Sequence, residues 1–186
     1  KRIIAGDECV QNLIDVQDSL DVETKDCFWL ADADTRSEVG TAPSEWRNLT
    51  IELQGCPSYN PPTTKQTYRK DGLFYIYTSG TTGLPKAAVF NHGRWMKAYG
   101  GFGFTFNLGK DDVLYATLPF YHATAMVVCW GSVLAGNAGI ALRRKFSASE
   151  FWDDCRKYNA TAIGYVGELC RYLLERPASA ADRQHK

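Results

Sequence analysis

The chain has 186 residues, of which 45% are hydrophobic and 23% charged. That is ordinary globular composition, enough for about one domain, and it excludes a disordered chain. Lys plus Arg and Asp plus Glu both number 21, so no overall charge draws the chain to nucleic acid or to an anionic membrane.

From the start, Arg2 to Ala5 predicts a short strand, and Asp7 to Leu20 predicts a helix, with Cys9, Val10, Leu13, Ile14 and Val16 at helical spacing. Lys1-Arg2 leading into an apolar triplet does not read as a signal peptide. Cys27 to Leu30 predicts a buried strand. Glu45 to Leu53 predicts a helix capped by Ser44. Cys56 to Lys70 carries Pro57, Pro61 and Pro62 among polar residues and reads as an irregular linker. This divides the chain into a partial α/β subdomain over 1–70 and a second segment over 71–186.

Leu73 to Tyr77 ("LFYIY") is continuous, aromatic and branched, and is the strongest strand signal. His92 precedes a helix as a cap or surface group. Tyr99 to Phe106, with Gly100, Gly101 and Gly103, is too rich in glycine to assign. Asp112 to Leu118 and Ile140 to Leu142 predict buried strands. Between Val113 and Leu142 there is no Asp, Glu, Lys or Arg, which raises a membrane span. Pro119, His122 and the Gly136–Gly139 turn favour a buried helix followed by a strand. Ser147 to Glu150 fits a capping box for a helix from Ala148 to Tyr158, with Asp153, Asp154, Arg156 and Lys157 on a solvated face. Thr161 to Val166 is then a strand, and Gly167 to Glu175 a helix stopped before Pro177. The five tryptophans are read as core. Strands alternating with helices predict a layered α/β fold with a largely parallel sheet flanked by helices.

The six cysteines are scattered without a C-x-x-C pair, so neither a metal cluster nor a redox motif is indicated. A reduced, cytosol-facing compartment is expected. Asn48-Leu49-Thr50 and Asn159-Ala160-Thr161 fit the glycosylation pattern, which arises often by chance.

The chemistry concentrates just after "LFYIY". Ser79 to Gly83 are all hydroxyl residues or glycine, poor in helix and strand alike, and suited to holding a polyanion such as phosphate. The stretch is neither a Walker A loop nor G-x-G-x-x-G, because two residues separate Gly80 from Gly83 and Lys86 follows Leu84-Pro85.

"YTSGTTGLPK", Tyr77 to Lys86, resembles the phosphate-loop signature of the adenylate-forming superfamily of acyl-CoA synthetases, luciferases and peptide-synthetase adenylation domains. "LPFYH", Leu118 to His122, resembles its second shared motif. Arg143 to Thr161 and Gly167 to Pro177 resemble the fatty-acid transport protein branch of long- and very-long-chain acyl-CoA synthetases. The clear resemblance runs from about Asp71 to Lys186. It implies part of the large N-terminal domain of such an enzyme, with ATP, Mg2+, coenzyme A and a fatty acid as cofactor and substrates; the parent is expected to be cytoplasmic or membrane-associated on the cytosolic side, with membrane contact of a peripheral kind. In that reading Thr78, Ser79, Thr81 and Thr82 offer hydroxyls to the phosphates, Gly80 and Gly83 admit them to the backbone, and Lys86 carries the neutralising charge. His122 and Tyr121 stand between the acyl and nucleotide sites. Tyr165 and Gly167 line an acyl tunnel or, equally, are ordinary strand-and-turn packing. Gly164 departs from the Gln common at that place, which bears on chain-length preference. The family's later segments for adenine, ribose and magnesium, its hinge and its C-terminal lysine have no counterpart in this sequence. The resemblance therefore implies a fragment, inactive alone; the alternative is a truncated, non-catalytic module that binds nucleotide or acyl chains.

Overall fold

The computed structural model describes residues 1–31, 42–78 and 83–184. They form two compact units, Lys1–Thr64 and Lys65–Lys186.

In the first unit a three-stranded parallel sheet runs in the order β1 (Ile3–Gly6), β2 (Cys27–Leu30), β3 (Arg47–Asn48). Helix α1 (Val10–Val16) lies between 3-10 turns at Asp7–Cys9 and Gln17–Ser19. Ala5, Val10, Cys27 and Trp46 form its buried core. The helix expected from Glu45 is shorter. Arg47 and Asn48 pair with β2, and only then does α2 (Leu49–Gln54) begin. Its cap is Asn48, whose side-chain oxygen accepts from Ile51 N–H at 3.2 Å, and not Ser44. A strand pairing that periodicity cannot display displaces the helix start by four residues.

The second unit opens with a hairpin of β4 (Gly72–Thr78) and β5 (Lys86–Asn91), in antiparallel register with Tyr75 opposite Val89 and Thr78 opposite Lys86. β5 was not expected, because a loop of seven residues separates it from β4 and no hairpin turn signal marks it. Nor is "LFYIY" a strand buried on both faces. Phe74, Ile76, Ala88 and Phe90 turn inward, while Tyr75, Tyr77, Ala87 and Val89 are exposed. Phe74 stacks on Phe90 at 5.3 Å and meets Trp95 edge-on at 5.7 Å, which fastens the hairpin to α3 (His92–Phe106). Asn91 caps that helix by accepting from Arg94 N–H at 2.7 Å; His92 does not.

A second parallel sheet follows, ordered β7 (Gly139–Leu142), β6 (Val113–Ala116), β8 (Ala162–Gly164). β6 is central and its residues alternate. Leu114 and Ala116 pack with Cys129 and Val133 on one face, and Tyr115 with Phe151 and Cys155 on the other. The first face is covered by a π-helical segment, Thr124–Cys129, running into α4 (Trp130–Gly136). The second is covered by α5 (Phe151–Lys157), and α6 (Gly167–Leu174) follows β8. Among the described residues no helix is long and apolar enough to cross a membrane, so the uncharged stretch 113–142 divides into strand, helix and strand.

The capping box at Ser147–Glu150 does not form. Ser147 and Ser149 share a hydroxyl contact at 3.0 Å, and α5 starts later, behind Glu150, without a side-chain cap. Its face is not wholly solvated either: Asp154 is drawn inward, accepting from the Tyr115 hydroxyl at 2.6 Å and pairing with Arg143. Of the tryptophans only Trp46 is fully buried; the others are half-buried. All six cysteines are free thiols.

Candidate functional site

In the second unit the chain leaves β6 for β7 on one edge of the sheet and returns for β8 on the other. Open α/β sheets place ligands outside the carboxyl ends of strands where the order switches in this way. Two segments emerge there: 117–122 after β6, and Tyr165–Val166 after β8. They meet the end of β4 around a cleft of about 590 Å3, lined by Ile76, Tyr77, Thr78, Pro119, His122 and Val166, among others.

The hairpin sets one wall. The Thr78 hydroxyl donates to the Lys86 carbonyl at 3.2 Å, so the two strands are tied together where the loop leaves and rejoins them. Lys86 is exposed and among the described residues has no ion pair. Gly83 has φ of +154°, a conformation costly to any residue with a Cβ, and open space around it. Ser79, Gly80, Thr81 and Thr82 lie outside the described residues.

The second wall is a turn. His122 N–H donates to the Pro119 carbonyl at 3.0 Å, and the His122 carbonyl accepts from Met126 N–H at 3.0 Å, so His122 is held at the entrance to the π-helical segment. Its ring is exposed and lies 4.5 Å from that of Tyr121. Tyr121 is 71% exposed and lines neither this cleft nor the cavity described next. Just before the turn, the Thr117 hydroxyl is buried and, among the described residues, has no hydrogen-bond partner. A buried hydroxyl left unpaired costs about 1–3 kcal/mol, so it marks a place where strain is stored or a polar group is awaited.

Thr124 also lines a second cavity, of about 410 Å3, beneath the π-helical segment. Leu114, Val128, Cys129 and Ile163 make it mainly apolar, and Tyr165 lines it as well. From Thr161 to Tyr165 the cavity follows β8 for roughly 13 Å at a strand rise of about 3.3 Å per residue. At its polar end the Asp112 carboxylate accepts from the Thr161 hydroxyl at 2.7 Å and from Gly109 N–H at 2.8 Å, and these bonds hold its pKa below the ordinary carboxylate value. Burial raises the Cys129 thiol pKa, keeping it neutral. Gly164 permits the close approach of β8 to this helix: a Cβ there would stand 2.5 Å from Cys129 Sγ.

Of the residues the sequence singles out, the fold brings Thr78 and His122 to the cleft and Tyr165 to the apolar cavity. Gly167 lines neither; it opens α6 with nothing within 4 Å of its would-be Cβ. Thr124, Val128, Cys129 and Ser132 were not foreseen as lining residues. The signal for them was available only as an uncharged stretch, which buried core explains as well. π-Helical turns are rare and frequently found at functional sites, but no sequence pattern announces one. Among the described residues no group of three His, Cys, Asp or Glu could hold a metal ion.

Comparison with known proteins adds the following. The sequence pattern of the family described as "AMP-binding enzyme" matches residues 2–186. The medium/long-chain-fatty-acid–CoA ligase FadD6 of Mycobacterium tuberculosis is 47% identical over 133 residues, covering 70% of this chain and 22% of that protein. Human long-chain fatty acid transport protein 1 is 51% identical over 118 residues, covering 62% of this chain and 18% of that one. This chain thus spans about a fifth of the length of these relatives. Among solved structures, ATP-bound MatB from Rhodopseudomonas palustris superimposes with a TM-score of 0.74 at 21% identity, covering 95% of this chain and 32% of that one. The N-terminal domain of FACL13 from Mycobacterium tuberculosis does so with a TM-score of 0.61 at 20% identity, covering 83% and 42%. At such identities the likeness is one of fold.

Proposed function

Because the chain belongs to the AMP-binding enzyme family, we propose that it carries the phosphate and acyl subsites of an ATP-dependent, AMP-forming fatty acyl-CoA ligase. The observation that carries the reading is the shared wall. One cleft joins the strand leading into the Ser/Thr/Gly loop to His122, and Thr124 links it to an apolar cavity along β8.

The reaction class is adenylation. A carboxylate oxygen bonds to the α-phosphorus of ATP, the bond to the bridging oxygen breaks, and pyrophosphate departs. Coenzyme A sulfur then displaces AMP to form the thioester. What the phosphate subsite contributes is positive charge and donors aimed at the departing phosphates. Lys86 supplies a mobile ammonium, Thr78 a hydroxyl at the loop's root, and Ser79, Thr81 and Thr82 further hydroxyls, with Gly80 and Gly83 leaving the backbone accessible. His122 stands where the acyl carboxylate and nucleotide meet, with Tyr121 beside it as an outer wall. Tyr165 borders the acyl end, and Gly167 leaves the start of α6 unobstructed. Mg2+ accompanies ATP in this reading; among the described residues no three His, Cys, Asp or Glu gather as a metal site, and no step is assigned to it.

The test is Lys86→Ala in the complete ligase. Pyrophosphate exchange should fall about 10²–10³-fold, the usual cost of a lost charge-stabilising donor. Stability should change by no more than about 0.5 kcal/mol, as for other exposed substitutions. Exchange that survives, or that falls only in step with unfolding, overturns the assignment. The 186-residue chain alone should release no AMP with ATP, coenzyme A and fatty acids, because groups that position a transition state together do not contribute additively.

A further inference from the structure

The chain is neutral overall, yet its charge is unevenly placed. Between Tyr68 and Leu108 there are five Lys or Arg (Arg69, Lys70, Lys86, Arg94, Lys97) and one acid, Asp71. The structure gathers four of them: Arg69, Lys70, Arg94 and Lys97 surround one shallow depression of about 390 Å3, floored by Asn91 and Gly93. All four are exposed, and among the described residues none has a carboxylate partner. Arg94 is fixed by donating to the Val89 carbonyl at 3.2 Å and by lying over the Phe90 ring. The one acid turns inward on its own segment, accepting from Tyr68 N–H at 2.8 Å.

The first amides of α3 are not free to bind an anion. His92 N–H donates to the Asp71 carbonyl at 3.1 Å, Gly93 N–H to the Arg69 carbonyl at 2.7 Å, and Arg94 N–H to Asn91 Oδ1 at 2.7 Å. The depression therefore lacks the converging backbone donors that grip a single phosphate. What is left is a spread of exposed cations whose attraction is long-ranged and tolerant of geometry, the kind suited to a charged surface. Exposed apolar side chains are interleaved with them: Tyr68 (65% exposed) beside Arg69, and Met96 (56%) between Arg94 and Lys97. Cations interleaved with an aromatic and a methionine match a lipid headgroup layer, where the charges meet phosphates and the apolar tips reach the acyl boundary. Duplex nucleic acid would use the cations alone.

We propose that Arg69, Lys70, Arg94 and Lys97 form a surface that docks on anionic phospholipid. The inference does not depend on the proposed catalysis, since none of the four lines the cleft or the cavity.

The experiment is co-sedimentation of the full 186-residue chain with vesicles of phosphatidylcholine alone or mixed with phosphatidylserine. Tripolyphosphate and duplex DNA are tested separately as soluble ligands. Binding should require phosphatidylserine. It should weaken as ionic strength rises from about 0.1 M to about 1 M, where the Debye length shrinks from about 10 Å to about 3 Å. Each basic residue near an anionic surface contributes roughly fivefold in partitioning, so Arg69→Gln/Lys70→Gln should lower it roughly 25-fold. Lys97→Gln, on α3 and away from that turn, should lower it roughly fivefold even if the double variant misfolds. Lys110→Gln, outside the patch, should leave it unchanged. Equal binding to both vesicles, unaltered binding by the Lys97 variant, or binding to DNA or tripolyphosphate without vesicle binding overturns the proposal.

Discussion

The β4–β5 hairpin and the β7-β6-β8 sheet are built from strands of similar apolar content, but they spend it differently. In the sheet, both faces of β6 are covered and Tyr115 is 1% exposed. In the hairpin, one face is covered and the other shows Tyr75 and Tyr77, each 64% exposed. The sheet's rigidity comes from packing. The hairpin's comes from its register and from the attachment of Phe74 and Phe90 to Trp95. The loop proposed to admit a polyanion is thus hung on a partly exposed element, while the residues that line the apolar cavity belong to a covered sheet.

Substitutions can break or sharpen this contrast. The largest effect is expected at Phe151, 1% exposed and edge-on to Tyr115 at 5.1 Å. Phe151→Ala should cost about 3–5 kcal/mol, read as a lower urea midpoint at unchanged slope. A loss below about 1 kcal/mol would mean that this sheet is no better packed than the hairpin.

Next comes Asp154→Asn. Burial alone would raise the Asp154 pKa, but hydrogen bonds from Tyr115 and Arg143 outweigh it and hold the carboxyl below its ordinary 3.8. Burial, and then the bond to Asp154, raise the Tyr115 pKa, so its hydroxyl keeps its proton to donate. A carboxyl whose folded pKa is depressed stabilises fully above its unfolded value and loses that contribution as pH falls through the folded one. The variant should lose about 2 kcal/mol at neutral pH. The difference from the parent should close in acid below pH 3.8. A gap that stays constant down the acid limb would show that the carboxylate charge is not what is lost.

Gly164→Ala should destabilise by about 1–3 kcal/mol through overpacking on Cys129 Sγ. Adding Cys129→Ala should recover part of it, because residues in contact do not act additively. Thermal melts of the two single variants and the double one measure this coupling, and strict additivity would separate the two residues. The smallest effect belongs to the hairpin: Tyr75→Thr, on its open face, should stay within about 0.5 kcal/mol in the same melts. A larger loss would mean that this face is covered in solution.

The same contrast explains what could be read in advance. Continuous apolar runs mark β2, β6, β7 and β8, because burial on both sides leaves no room for polar residues. The family was legible too, since the resemblance that begins at Tyr77 agrees with the family match over residues 2–186. Long-range choices are not legible. Asn48 caps a helix because Arg47 pairs with β2, and Asp154 turns inward because Tyr115 and Arg143 await it. The cavity under the π-helical segment was hidden for the same reason, since Val128 and Cys129 look like any core residues until the helix widens.

The glycine-rich stretch from Tyr99 to Phe106 could not be assigned because glycine costs up to about 1 kcal/mol in a helix interior. It is helical because α4 presses against it. A Cβ at Gly103 would stand 2.1 Å from Ala135 Cβ, and one at Gly131 would stand 3.3 Å from Tyr99 Cα. The two helices are keyed together through missing side chains, and α3 begins directly after the strand that starts at Lys86. The strand that rejoins the Ser/Thr/Gly loop and the apolar cavity therefore share a single mechanical joint. A bulge introduced at Gly103 would tilt one lever, moving Lys86 at one end against the roof of the cavity at the other.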